Sequence, residues 1–344
     1  MIIRDNLEFH AGELREAPGI RGQLLARIPA AIGDRLQQRG KFIAADSVST
    51  EIRFVTDARV VELTLAAVKP EFGLELLEVR VFFGNFEIPT NFWLKPGVVT
   101  TLRLTPQNLA IRKIKGEYLR KAPGIGFAPE VIRVTSQRGG LIYCGINTFG
   151  EAVRPPLAEE KPAKTCLFYG SSITNSTLEG FPIVAGKALG ADVINLGMSG
   201  SCHLEPELAD WMAGRDDWDL AVFELGINAT WMQPEEFRRR ADHLLAAFVA
   251  RHPEKPLVLL TLFPSSARNA FAIEPKEEDR DAQFCDILRE LHAEYAKRGK
   301  VHLIEGSEIM TDLTGLGADF LHPKSYGHAV MGLNLARRLA PLLA

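Results

Sequence analysis

The chemistry in this chain centres on Ser172. It lies in the stretch Thr165-Cys-Leu-Phe-Tyr-Gly-Ser-Ser-Ile-Thr174, just after five mostly apolar residues that stop at Gly170. Such a run suits a buried strand, and Gly170 lets the chain leave it sharply. A serine just past a strand stands at the carboxyl edge of a sheet, where open α/β folds bind ligands. A lone Gly-Ser-Ser, however, is more often a polar turn or helix cap. Its meaning depends on partners. An alcohol nucleophile needs a base, and the base needs an acceptor on its other ring nitrogen. Of eight histidines, His322 has that acceptor nearby, because Asp319-Phe-Leu-His322-Pro323 places a carboxylate three residues upstream. A loop Asp capping the following helix beside an exposed His is an equal reading of this piece alone. Acyl transfer also requires donors for a developing oxyanion. Asn195-Leu-Gly-Met-Ser-Gly200 offers a backbone amide, and Leu225-Gly-Ile-Asn228 offers a side-chain amide.

The elements that must position these residues fall into two kinds. Over residues 1–150 the apolar pattern has a short period with frequent breakers. Strands are expected at Glu51 to Thr56, Val60 to Leu65, Leu76 to Phe83, Val98 to Leu104, Val131 to Thr135 and Leu141 to Ile146. Alternation such as Val61-Glu-Leu-Thr-Leu65 buries one face, so this half reads as an all-β, jelly-roll-like sandwich. A helix-like patch covers Gly22 to Arg39. Residues 151–164 carry three prolines and no apolar face, and read as a semi-rigid linker.

From Thr165 to residue 344, strand candidates at Val193 to Leu196, Leu220 to Leu225, Leu257 to Leu262 and Val301 to Ile304 alternate with helical patterns. Phe237, Ala241, Leu244, Leu245 and Phe248 share one helical face, as do Phe284, Ile287, Leu288, Leu291 and Tyr295. A last helix is expected from about Ser325 to Leu339. The pattern predicts a doubly wound parallel sheet of about five strands.

At 344 residues with a net charge of −3, the chain has no broad electrostatic footprint for nucleic acid or an anionic membrane. The one basic cluster, Arg112, Lys113, Lys115, Arg120 and Lys121, reads as a solvated face. Cys144, Cys166, Cys202 and Cys285 form no Cys-x-x-Cys pair and are expected as free thiols. With charged residues near the amino terminus in place of a leader's apolar run, the expected location is cytoplasmic. No metal or cofactor is called for: His-Glu-x-x-His, phosphate-loop and dinucleotide patterns are all missing.

Taken together, the pieces occur in the order Ser, Gly, Asn, Asp and His. In this the chain resembles the SGNH hydrolase superfamily, the GDSL-like esterases, with Gly170 to Thr174, Asn195 to Gly200, Gly226 to Asn228 and Asp319 to Pro323 matching its four blocks. The resemblance covers about 180 residues, from Thr165 to the end. It implies a flavodoxin-like α/β/α domain, Ser172 as nucleophile, His322 as base, Asp319 as its orienter, and an oxyanion hole from the Ser172 and Gly200 amides and the Asn228 side chain. Two departures are visible: Ser171 stands where the family has Asp, and Ala229 where an Asp often follows the third-block Asn. His203, Thr230 and Trp231 flank the blocks and are candidates for the substrate pocket. A β-sandwich ahead of such a domain is similar to a branch of carbohydrate acetylesterases. The expectation is a serine esterase for small O-acyl groups, most simply acetyl, on a saccharide. The alternatives are a lipid esterase or thioesterase, or a non-catalytic carbohydrate-binding protein. The sugar, the ester position, the acyl length and whether the chain forms a homo-oligomer stay open.

Overall fold

The computed structural model describes residues 2–68, 75–120, 124–176, 178–266 and 268–343. The chain divides into two compact units: residues 1–30, 44–163 and 190–192 form one, and residues 31–43, 164–189 and 193–344 the other.

The first unit is built from two antiparallel sheets. One has eight strands: Ile2–Arg4, Leu7–His10, Glu51–Thr56, Ile132–Ser136, Leu77–Phe83 and Phe86–Glu87 lie in that order, with Val153–Arg154 added to Glu51–Thr56 and Phe92–Leu94 to Leu77–Phe83. The other has five, in the order Thr100–Leu104, Val61–Val68, Gly140–Asn147, Gln23–Ala26 and Glu13–Glu16. The expected alternation is realised: Leu77, Val79, Val81 and Phe83 point into the core while Glu78, Arg80 and Phe82 are only partly buried. Phe9, Ile52, Phe54, Leu63, Val134 and Tyr143 join them in a single cluster. Arg53 and Glu51 are buried on a core strand, which is tolerable because each charge is paired: Arg53 Nε donates to Glu51 Oε2 at 2.6 Å, and Arg133 Nε donates to the same oxygen at 2.8 Å.

One local expectation changes, and two other segments gain detail. Part of the Gly22–Arg39 patch is the strand Gln23–Ala26, followed by short helices Ala30–Gly33 and Gln38–Ala44. A run of four residues is too short for periodicity to distinguish a strand from a helical turn. Residues 151–163 group with the first unit, where Val153–Arg154 pairs with Glu51–Thr56 and the buried Glu160 takes two hydrogen bonds from Arg154 at 2.7 Å. In the basic cluster, Arg112 lies over the Phe83 ring at 5.4 Å, and Lys121 falls outside the described residues.

The second unit is a parallel sheet in the order Asp192–Asn195, Thr165–Tyr169, Leu220–Glu224, Leu257–Leu260 and Val301–Ile304. Its strands are short apolar runs because helices cover both faces. Right-handed crossovers combined with this order put helix Phe181–Leu189 on the opposite face from Pro206–Ala213. The first packs with Ser325–Leu343. The second packs with Pro234–Arg251, which in turn packs with Arg280–Tyr295. The predicted helical faces are buried, apart from Ile287, which is only partly covered. The strand order reverses between Thr165–Tyr169 and Leu220–Glu224, the place at the carboxyl ends of the strands where open α/β sheets bind their ligands. Among the described residues no helix is long and apolar enough to cross a membrane. None of the four cysteines is in a disulfide; three of them are buried and Cys144 is partly exposed.

Candidate active site

Ser172 follows one of the two strands at the reversal, and Asn228 follows the other. Ser172 is half-buried and its Oγ lies 2.9 Å from His322 Nε2. The other ring nitrogen, Nδ1, lies 2.7 Å from Asp319 Oδ2. An ionised Asp only accepts, so Nδ1 carries the proton and Nε2 accepts from the Ser172 hydroxyl. The His322 backbone N–H and the Leu321 N–H both donate to Asp319 Oδ1 at 3.1 Å, which pins the carboxylate within its own turn. Burial works to raise the Asp319 carboxyl, but these hydrogen bonds outweigh it and hold it below the ordinary carboxylate value. The Asp319–His322 pair and Ser172 thus meet although 150 residues separate Ser172 from His322.

The turn that presents Ser172 is secured from below. Glu224 ends its strand 2 % exposed, and its Oε2 accepts from the Ser171 N–H at 2.7 Å and from Thr174 Oγ1 at 3.0 Å. Gly170 is needed for space rather than for a special dihedral, since a Cβ there would stand 2.7 Å from Glu224 Oε2. The position where the family carries Asp holds Ser171, yet a carboxylate reaches this turn from the neighbouring strand. The only local sign of Glu224 is a charge ending the apolar run Leu-Ala-Val-Phe-Glu.

Burial pushes the Glu224 carboxyl up to about 7, against the hydrogen bonds from Ser171 and Thr174. This folded value lies above the ordinary 4.5. The folded chain therefore holds this proton more tightly than the unfolded chain. The resulting stabilisation is full below about pH 4.5 and is lost as pH rises through about 7, on the order of 3 kcal/mol in all. Glu224→Gln keeps an acceptor for Ser171 but cannot titrate. The decline in thermal midpoint from pH 5 to pH 8 should shrink in this variant by roughly 5 to 10 °C. A decline equal to that of the wild type would refute the assignment.

The second-block turn lies directly on the Ser172 turn. The Met198 N–H donates to the Gly170 carbonyl at 2.7 Å, Asn195 Nδ2 to the Thr174 carbonyl at 2.8 Å, and the Gly197 N–H to Asn195 Oδ1 at 2.9 Å. Gly200 has φ +64°, a left-handed conformation that glycine adopts without steric cost. Asn228 Oδ1 accepts from the Cys202 N–H at 3.3 Å, which fixes the amide plane and turns Nδ2 the other way. Trp231 Nε1 donates to the Asn228 carbonyl at 3.0 Å, and its indole is 60 % exposed. His203 is buried and meets the Trp231 ring edge-on at 5.4 Å. Burial, with Arg240 nearby, lowers the His203 imidazole. Thr230 lines a cavity of about 290 Å³ with Lys276, Glu278, Arg280 and Asp281. Ser172, Asp319 and His322 thus form one connected set, Asn228 joins the Gly200 turn through Cys202, and Trp231 and His203 flank Asn228. Among the described residues no group of three or more His, Cys, Asp or Glu side chains is placed to hold a metal.

A serine, an imidazole and a carboxylate in line at the switch point of a parallel sheet are the groups that a serine hydrolase of an α/β fold would use. The GDSL-like lipase/acylhydrolase family matches residues 163–339, just over half of the chain, and the chain belongs to that family. It is accordingly a carboxylic ester hydrolase. Sequence comparison with curated proteins finds no match. Among solved structures, the chain is similar to the salicylyl-acyltransferase SsfX3 of a tetracycline biosynthetic pathway, at 18% identity, covering 98% of this chain and 95% of that one with a TM-score of 0.77. It is also similar to a family two carbohydrate esterase from Clostridium thermocellum in complex with cellohexaose, at 14% identity, with coverage of 98% and 99% and a TM-score of 0.60. A family two carbohydrate esterase from Cellvibrio japonicus follows at 14% identity, 98% coverage of both chains and a TM-score of 0.58. These likenesses establish the fold: an antiparallel β-rich region joined to a parallel-sheet unit.

Proposed function

We propose that the protein hydrolyses small O-acyl esters, most simply acetyl esters of a saccharide, through a Ser172 acyl-enzyme. The observation that supports this most is the continuous relay from Ser172 Oγ through the His322 ring to Asp319. In this reading His322 takes the Ser172 proton as the oxygen attacks the ester carbonyl. The Ser172 and Gly200 amides and Asn228 Nδ2 receive the oxyanion. His322 then protonates the leaving alcohol, and water releases the acyl group by the same steps in reverse. General-base help of this kind contributes about 10² to 10⁴ in rate.

For a saccharide, the supporting feature is Trp231, an exposed indole tethered to Asn228 and backed by His203. An aromatic face with a fixed edge suits the apolar face of a sugar ring at small entropic cost. Thr230 and its cavity would take neighbouring hydroxyls. Four cysteines outside any disulfide suit a reducing, cytoplasmic compartment. Interception of the acyl-enzyme by an alcohol acceptor in place of water is a second reading, since the structurally similar SsfX3 is described as an acyltransferase.

The test is hydrolysis of an aryl acetate, an aryl octanoate and an acetylated xylooligosaccharide, with product analysis in the presence of an added sugar alcohol. Acetyl-selective hydrolysis supports the proposal. Preference for octanoate moves the substrate to lipids, and a transferred acyl group moves the activity to acyl transfer. Trp231→Ala should raise KM for the xylooligosaccharide about tenfold and leave the aryl acetate within about twofold. An equal change on both substrates would remove Trp231 from sugar recognition.

A further inference from the structure

We propose that Arg39 positions the oxyanion hole by holding the Ser199–Gly200 peptide from behind, an inference that rests on the acyl-enzyme reading above. Arg39 lies on the short helix Gln38–Ala44, in the 31–43 segment that groups with the hydrolase unit. Its Nε donates to the Ser199 carbonyl oxygen at 2.8 Å. That carbonyl and the Gly200 N–H are the two ends of one peptide group. A trans peptide is planar and its C=O and N–H point in opposite directions, so fixing the oxygen aims the hydrogen. A charged donor on the carbonyl also polarises the amide and makes the N–H at its far end a stronger donor.

The turn gives this contact something to prevent. The Ser201 N–H donates to the Met198 carbonyl at 2.9 Å and Gly200, the third residue of the turn, has φ +64°, as in a type II turn. Types I and II differ by reversal of the central peptide, which here is Ser199–Gly200. Reversal would withdraw the Gly200 N–H from the hole, and it would also break the bond from Arg39. The guanidinium lies against Gly200 itself: a Cβ on Gly200 would collide with Arg39 Nε and stand 2.9 Å from Cζ. The side chain therefore both bonds the peptide and occupies the space behind it. Arg39 touches no reacting atom in this scheme. It acts through Gly200.

The experiment compares Arg39→Ala, Arg39→Gln and Arg39→Lys with wild type and Asn228→Ala on an aryl acetate. Thermal midpoints verify folding, and a fluorophosphonate titrates competent Ser172. Removing one oxyanion donor costs about 10²- to 10³-fold, so misaiming one should cost about 10- to 100-fold in kcat, with KM within about threefold. Affinity for an aryl boronic acid, whose tetrahedral serine adduct places an oxygen in the hole, should fall by the same factor as kcat/KM. Affinity for the unreacted product alcohol should not change. Arg39→Lys, or guanidinium added to Arg39→Ala, should recover part of the rate. Folded variants with kcat within about twofold of wild type would overturn the proposal, as would boronic acid and alcohol affinities falling together. Wild type that neither hydrolyses the ester nor reacts with the fluorophosphonate would defeat the acyl-enzyme reading, and the Arg39 proposal would fall with it.

Discussion

Ser172→Ala is expected to lower kcat/KM for an aryl acetate by at least about 10⁴-fold and to abolish fluorophosphonate labelling. Among the described residues, the adjacent hydroxyls of Ser171 and Thr174 are not placed to substitute. Ser171 is fully buried and its Oγ accepts from the Ile173 N–H at 3.1 Å, while the Thr174 hydroxyl is committed to Glu224. The substitution removes one half-buried hydrogen bond to His322, so its cost in stability should be about 1 kcal/mol. Residues that act as a unit do not add. Ser172→Ala combined with His322→Ala should therefore be little worse than Ser172→Ala alone. A folded Ser172→Ala protein that retains more than about a tenth of the wild-type rate would dismiss Ser172 as nucleophile.

Asp319→Asn should cost about 10²- to 10⁴-fold in kcat with little change in KM, through the tautomer of His322 rather than through charge alone. In the wild type, Asp319 Oδ2 accepts from His322 Nδ1 at 2.7 Å and Oδ1 accepts the backbone N–H groups of Leu321 and His322. An Asn keeps the second set with its own oxygen and so presents its NH₂ group to Nδ1. That nitrogen must then accept, the ring proton moves to Nε2, and Nε2 no longer accepts from Ser172. The Asp319 side chain is 50% exposed, so water competes for the same nitrogen and the loss should lie toward the lower end of that range. Retention of the wild-type kcat by Asp319→Asn, with folding verified by thermal midpoint, would show that His322 is oriented by something else.

The resemblance to the SGNH superfamily rested on residues whose local surroundings already carry the information. Thr165–Tyr169 and Leu220–Glu224 are continuous apolar runs because both sheet faces are covered, and each ends where a candidate site residue follows. Asp319 and His322 sit three residues apart, so one turn suffices to join them, and proximity in sequence made that contact readable. In the first half, Val61–Val68 and Leu77–Phe83 alternate for long enough to show a period of two. The four-residue strands Leu7–His10, Glu13–Glu16 and Gln23–Ala26 do not.

Tertiary structure decided what local pattern has no means to encode. Glu224 reaches Ser171 across 53 residues, and Arg39 reaches Ser199 across 160. Neither residue lies in a motif, and in isolation each reads as an ordinary strand end or a solvated helix charge. Such contacts follow from strand order and from the grouping of residues 31–43 with the hydrolase unit, which no periodicity in either segment specifies. The sequence by itself therefore determined which residues could perform acyl chemistry and in what order, because turn and strand signals are local. Only the folded chain determined which groups hold that machinery in register, because those bonds join segments whose meeting depends on the packing of the whole sheet.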